Sequence, residues 1–423
     1  MNVKVTLAIW AVALSLVLPS AAWGSVKFKL LHTFGLGKDG AVPAGPILLD
    51  MKGNIYGTTG GGGTAGIGTV FRLRRRTDGR WGEQVVYSFV SWLSTGSPTS
   101  GLAMDSGHSL YGTSAGGPNG TSAAYRLVPG KKGWVFTLLY DNGAGPGVAL
   151  DNQDNVFGDM GPGAYTYYGA IAELSAGGGG WSYNDLYDFC SASGNCTNGF
   201  VLPAPPIWDG KGNMFGVTSE GGIGWGGKGN PPCWTNTGCG VIFEMKPKGD
   251  GTWSYQVLHH FASSKTDGQT PRGGLVMDAA GNFYGTTVFG GPYGGAHGNG
   301  IVFQLSPKAG GGGWKMTVIY DFPGYCSIGC EPYGQLALDR SGSLYGTNGG
   351  GNATCSGGAY YCGMIYKLTP QKDGTWKYSS VYKFHGPDGF GPLGVTLDGK
   401  GHIFGATTWG GKYNFGVAFE ITP

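Results

Sequence analysis

The sequence predicts an all-β, seven-bladed β-propeller with four-stranded blades, on three observations. A stretch of apolar residues ending in Asp, then a turn, then an aliphatic-aromatic-Gly triplet recurs seven times. Only strand-like segments lie between the copies. The set of outer strands is complete only when the N-terminal segment is counted with the last copy.

The turn Asp residues are Asp50, Asp105, Asp151, Asp209, Asp278, Asp339 and Asp398, spaced 46 to 69 residues apart. A period of this size with strand signals alone marks propeller blades. In the first copy four strands are expected, over Gly45 to Asp50, Asn54 to Thr58, Thr69 to Leu73 and Gln84 to Phe89. The inner one is apolar at successive positions, as a strand covered on both faces should be. In the third, Phe71 and Leu73 flank Arg72, the alternation of a strand with one more polar face. Six outer strands lie inside the chain, and the seventh copy, Leu30 to Phe34, precedes every blade. The last repeat stops after its third strand at Phe419-Glu420-Ile421, so the N-terminal strand is expected to close the ring and remove a weak edge.

Lys4, the apolar run Leu7 to Leu18 and the small residues Ala21, Ala22 and Gly24 have the layout of a secretory signal peptide. Residues 1–24 are expected to be removed, leaving 25–423 as one secreted or surface-exposed domain. The run is interrupted at Pro19 and is too short for a membrane span. The C-terminus offers no hydrophobic tail. Charged residues make up 13% of the chain and the formal net charge is +3, which excludes a nucleic-acid-binding surface. The basic cluster Arg72, Arg74, Arg75 and Arg76 reads as a solvated hairpin end.

The seven Asp residues read as scaffold. Five are followed three residues later by Gly, which supplies the left-handed conformation of a tight turn, and a carboxylate there can accept backbone N–H groups. A calcium loop needs several oxygen ligands close together, and copies such as Asp339-Arg340-Ser341-Gly342-Ser343 supply a single carboxylate. The aromatic after the turn is Tyr in four copies and Phe157, Phe215 and Phe404 in three, so the ring is expected to pack and the hydroxyl to be dispensable.

Function is expected on the opposite end, where the second-to-third and outer-to-inner loops carry nearly all the length variation. Four close Cys pairs fall on that end: Cys190 and Cys196, Cys233 and Cys239, Cys326 and Cys330, Cys355 and Cys362. Local disulfides pinning long loops are the expected reading in an exported chain; zinc is the alternative, without the usual spacing. The same loops carry Trp92, Trp225, Trp234, Phe289, Tyr293, Tyr325, Tyr360, Tyr361, Trp409 and Tyr413. Of these, Trp225, Trp234, Phe289, Tyr293, Trp409 and Tyr413 are the candidate sugar-stacking residues; the alternative is local packing on the Gly-rich loops. The acid candidates are few. Glu220 stands where other copies have Phe289 and Trp409, and Asp159 replaces a Thr of the preceding blade. Such a pair suits a glycosidase only at a set separation, and Glu331 and His297 complete a weak acid-base set.

The recurring Asp-x-x-Gly-Asn-x-Tyr-Gly-Thr-Thr, then Gly-Gly, then Gly-x-Val-Phe-x-Leu, is carried by Gly281 to Thr287 and Gly300 to Phe303. It resembles the GloVer tandem repeat of exported bacterial proteins, from about residue 28 to the end. The resemblance implies an exported protein, often with a C-terminal surface anchor, whose biochemistry is poorly defined. The Asp turn is also similar to that of NHL-repeat and streptogramin-lyase propellers. The resulting expectation is a secreted, monomeric, non-catalytic module without cofactor or metal, binding a glycan or cell-wall polymer. A carbohydrate-active hydrolase or lyase, or a protein-interaction scaffold, is the alternative.

Overall fold

The structure is a computed structural model and describes residues 26–35, 37–161, 168–190, 196–223, 233, 237–292, 299–310, 312–323, 329–350 and 361–423. Seven antiparallel sheets, one per repeat, ring an axis, and no helix occurs among the described residues. None is therefore long and apolar enough to cross a membrane. Blades are numbered here by their turn Asp, from blade 1 (Asp50) to blade 7 (Asp398). The predicted leader lies outside the described residues.

In blade 1 the second, third and outer strands are Ile55–Gly62, Thr69–Arg75 and Trp81–Ser88. Blade 7 consists of Phe390–Leu397, Ile403–Trp409 and Val417–Thr422, completed by Lys27–Thr33 from the start of the chain. The register runs from Lys27 opposite Thr422 to Thr33 opposite Val417, and the Phe34 amide donates to the Gly416 carbonyl at 3.0 Å. The expected closure is the observed one.

The core is divided by the ring. Each apolar cluster joins two neighbouring sheets: Tyr56, Val70, Leu110 and Tyr125 between blades 1 and 2, and Phe34, Ile55, Phe71, Phe404 and Ala418 between blades 7 and 1. Seven such clusters serve seven interfaces. The Gly of the aliphatic-aromatic-Gly triplet makes this possible. A Cβ on Gly57 would lie 2.5 Å from the Phe71 ring of the adjacent strand, and Gly285 stands in the same relation to Phe303.

The Asp turns form as expected. Asp278 accepts the amides of Ala280 and Asn282, both at 2.9 Å, and the Asn282 side-chain amide at 2.8 Å. The reading of the tyrosine hydroxyl is corrected. Tyr284 donates to the second oxygen of Asp278 at 2.9 Å, and Tyr111 to Asp105 at 3.0 Å. In the Phe copies Asn155, Asn213 or His402 bonds that oxygen, as Asn54 and Asn282 do beside the tyrosine in blades 1 and 5. The hydroxyl is replaceable because another donor stands nearby. The carboxylates are thus filled by the chain's own donors, and those of Asp105, Asp278, Asp339 and Asp398 titrate below the ordinary range: the hydrogen bonds they accept outweigh their partial burial.

The five turn glycines have φ between 78° (Gly53) and 101° (Gly401), in the left-handed region. In blades 2 and 3 the same position holds His108 (φ 66°) and Asp154 (φ 62°). Replacing either by Gly is expected to raise stability by about 0.5 kcal/mol, because side-chain residues resist this conformation more than Gly. Urea unfolding of His108→Gly and Asp154→Gly checks it, and a lower midpoint contradicts it.

One element differs from expectation. The inner strand of blade 1 is not continuous over Gly45 to Asp50; it begins at Gly40–Pro43, breaks, and resumes at Leu48–Leu49. The break, at Ala44 to Ile47, is where the chain turns to the axis and meets its neighbours.

Candidate functional site

The inner segments of the seven blades meet in a closed waist, at a strand break in blades 1, 2 and 5 and at a register shift in blade 7. A Cβ on Gly45 of blade 1 would overlap the Gly101 nitrogen of blade 2, and one on Gly147 of blade 3 would lie 3.7 Å from Ser100 and 3.2 Å from Pro205 of blade 4. Gly274 of blade 5 faces Ala204 in the same way, Gly273 faces Gly334 of blade 6, Gly334 faces Gly394 of blade 7, and Gly394 faces Pro46. Every junction around the axis is made by small residues in van der Waals contact. At this waist lies an axial recess of about 260 Å³, lined by all seven blades.

Its loop-side rim breaks the repeat. Six residues before each turn Asp the chain reads Ala44, Thr99, Gly145, Pro203, Arg272, Tyr333 and Pro392. Arg272 and Tyr333 stand on adjacent blades; the other five positions are small or apolar. Both line the recess, where Arg272 is the one charged side chain. Tyr333 is 44% exposed and donates its hydroxyl to the Glu331 carboxylate. Burial and that carboxylate push the phenol well above its usual range, while Arg272 pulls the other way. Arg272 is exposed and makes no hydrogen bond or ion pair among the described residues. Sequence reading did not single out either residue. The signal was available as a comparison of the seven copies at one position.

A second missed set ties the loops down. Asp267 is 2% exposed; it accepts the amides of Ser263 at 3.0 Å and Gly268 at 2.8 Å, and pairs with His259 at 3.0 Å. Asp39 does the same with Gly35, Gly40 and His32, and Asp388 with His385 and Tyr382. Each joins an outer-to-inner loop to the outer strand beside it.

Of the candidate stacking residues, Trp409 is 40% and Tyr413 52% exposed, both at the loop end of blade 7. No ring packs on Trp409 among the described residues. Tyr413 lies over Gly35, and the Lys412 ammonium sits 5.1 Å from its ring centre. Phe289 is partly buried at the equivalent position of blade 5. Tyr361 and Trp92 are exposed on the same face, Trp92 against Gly116. Trp225, Trp234, Tyr293, Tyr325 and Tyr360, with Cys326, Cys355 and His297, lie outside the described residues. Cys190 bonds Cys196 and Cys233 bonds Cys239, as local pairing predicts; Cys330 and Cys362 are also disulfide-bonded.

The acid candidates stand on neighbouring blades at different heights. Glu220 pairs with Phe200 at the loop end of blade 4, the level of Phe289 and Trp409. Asp159 aligns with Val217, three residues lower, an offset of roughly 10 Å along the strand. Asp159 accepts the Ala170 amide at 3.1 Å, and is packed between Gly145 and Gly169. Loss of water there pushes its carboxyl up to about 6, against the backbone bonds from Ala170 and Leu202. A folded value above the unfolded one means the ionised form costs stability above pH 6 and costs none below about pH 4. Asp159→Asn is therefore expected to stabilise the fold by about 1–3 kcal/mol at pH 8 and by almost nothing at pH 4. Thermal unfolding at the two pH values checks this; equal shifts at both contradict it.

Residues 226–423 match the family described as the Gloeobacter/Verrucomicrobia repeat. No curated protein matches the sequence. Similar solved structures include the polysaccharide lyase Uly1, at 12% identity over 93% of this chain and 92% of that one, with a TM-score of 0.49. A candidate gluconolactonase aligns at 12% identity over 94% and 92%, with a TM-score of 0.41. The tricorn protease aligns at 12% identity over 86% of this chain and 27% of its own, with a TM-score of 0.40.

Proposed function

We propose, from the match of residues 226–423 to the Gloeobacter/Verrucomicrobia repeat family, an exported, non-catalytic recognition module that binds a glycan or cell-wall polymer on its loop face. The observation that carries this reading is the asymmetry of the two ends. At the Asp-turn end the loops are short and the turn carboxylates are occupied by the chain's own donors. At the other end the loops are long, two of them are held by described disulfides, and Trp409, Tyr413 and Tyr333 stand exposed, Tyr333 at the rim of the axial recess. Flat rings beside amide and hydroxyl groups suit a sugar chain.

Affinity electrophoresis through soluble cell-wall polysaccharides tests the proposal. The chain should be retarded, and Trp409→Ala should weaken binding by about tenfold, as loss of a buried aromatic anchor does. Retardation by no polymer, or unchanged by Trp409→Ala and Tyr413→Ala, counts against it. The raised carboxyl of Asp159 favours a second reading, a carbohydrate-active hydrolase or lyase. New reducing ends or unsaturated products that disappear in Asp159→Asn and Glu220→Gln would select it.

A further inference from the structure

We propose that the axial recess is the subsite for an acidic sugar, with Arg272 receiving its carboxylate and Tyr333 lying against its ring. The inference rests on the glycan reading and narrows it to anionic polymers. Seven copies of one repeat provide an internal control. The position held by Arg272 and Tyr333 is filled elsewhere by small or apolar residues, so blade packing requires neither side chain there. The two stand on neighbouring blades and face one cavity.

The chemistry of the pair is specific. Among the described residues the Arg272 guanidinium makes no hydrogen bond or ion pair and no other charged residue lines the recess, which suits it to one negative charge. A planar guanidinium binds a planar carboxylate through two parallel N–H···O bonds, which a lysine cannot reproduce. Glu331 is held by the Tyr333 hydroxyl, which fixes the ring and leaves its face exposed. Gln335 donates its amide N–H to the Leu275 carbonyl at 3.0 Å, leaving its side-chain oxygen for a sugar hydroxyl. About 260 Å³ lies below the volume of a drug-sized pocket and suits a single sugar residue with the polymer continuing across the loop face.

Titration calorimetry of the full chain against alginate, polygalacturonate and hyaluronan, each beside its carboxyl-reduced counterpart, tests the proposal. At least one acid form should bind about tenfold or more tighter than its reduced partner at low salt. Arg272→Met should erase that preference by lowering affinity for the acid form to that of its reduced partner, and Arg272→Lys should restore only part of it. Glu331→Gln, which removes a nearby anion, should tighten binding of the acid form by about two- to threefold. Equal binding of acid and reduced forms overturns the proposal and leaves the glycan reading standing. Equal binding of a sulfated neutral polymer, also lost in Arg272→Met, overturns the carboxylate assignment. Binding of no polymer in either form overturns the glycan reading and this proposal with it.

Discussion

A chain lacking residues 26–34 is expected to lose the single cooperative unfolding transition of the intact ring. The segment buries Phe34 completely and Leu31 almost so, and stacks Phe28 on Tyr382 at 4.9 Å and Phe419 at 6.0 Å. Removing three such side chains from water contributes about 5–9 kcal/mol as an upper estimate, most of a typical domain's stability. Phe34 also reaches the Phe71 ring of blade 1 at 4.9 Å, so the deletion opens the junction between the first and last blades. It leaves Val417–Thr422 as an unpaired edge, a template for aggregation. Size-exclusion chromatography with tryptophan-monitored urea unfolding reads the outcome. Grafting the same segment after Pro423 through the blade 4 hairpin turn, residues 248–252, should restore the transition. A truncated chain with an unchanged midpoint would contradict the closure.

Gly45→Ala is expected to be severely damaging for a single added methyl. Its Cβ would overlap the Gly101 nitrogen and meet the Ser100 carbonyl carbon at 2.5 Å; both are backbone atoms that cannot rotate aside. Because the waist is closed at all seven junctions, relief at one requires shifting a blade against its neighbours. The loss should be about 3 kcal/mol or more, within the range of severe overpacking. Gly53→Ala is the matched control. Its φ of 78° opposes a side chain, but nothing lies within 4 Å, so the cost should stay near about 1 kcal/mol. Comparable losses in the two variants would show that the waist is not the tight contact described.

What was legible in the sequence was whatever the repeat states locally. Asp, Gly and the triplet mark one end of each blade, and the missing seventh outer strand marks the closure, because both depend on residues close in the chain or on a simple count. The waist was not legible. Gly45, Gly147 and Gly394 are ordinary residues in an apolar run; their role appears only when segments some fifty residues apart meet on the axis. The inner strand was therefore read as continuous where it breaks. Tyr56 and its equivalents read as packing alone because Phe copies exist; the structure adds a hydroxyl bond to the turn Asp, and where Phe stands Asn155, Asn213 or His402 keeps that oxygen bonded. The loop face is legible as the irregular end, and its aromatics are the conspicuous residues there. Arg272 and Tyr333, on the strands beneath, distinguish one sector of the rim from the rest.

Hydrogen exchange with and without a bound polysaccharide tests recognition by the loop face most directly. Amide protection should concentrate at residues 90–97, 268–274, 331–335 and 408–414, with the Asp turns at 50–54 and 278–282 unchanged. Protection confined to the Asp-turn end, or to the outer strands, would contradict the account.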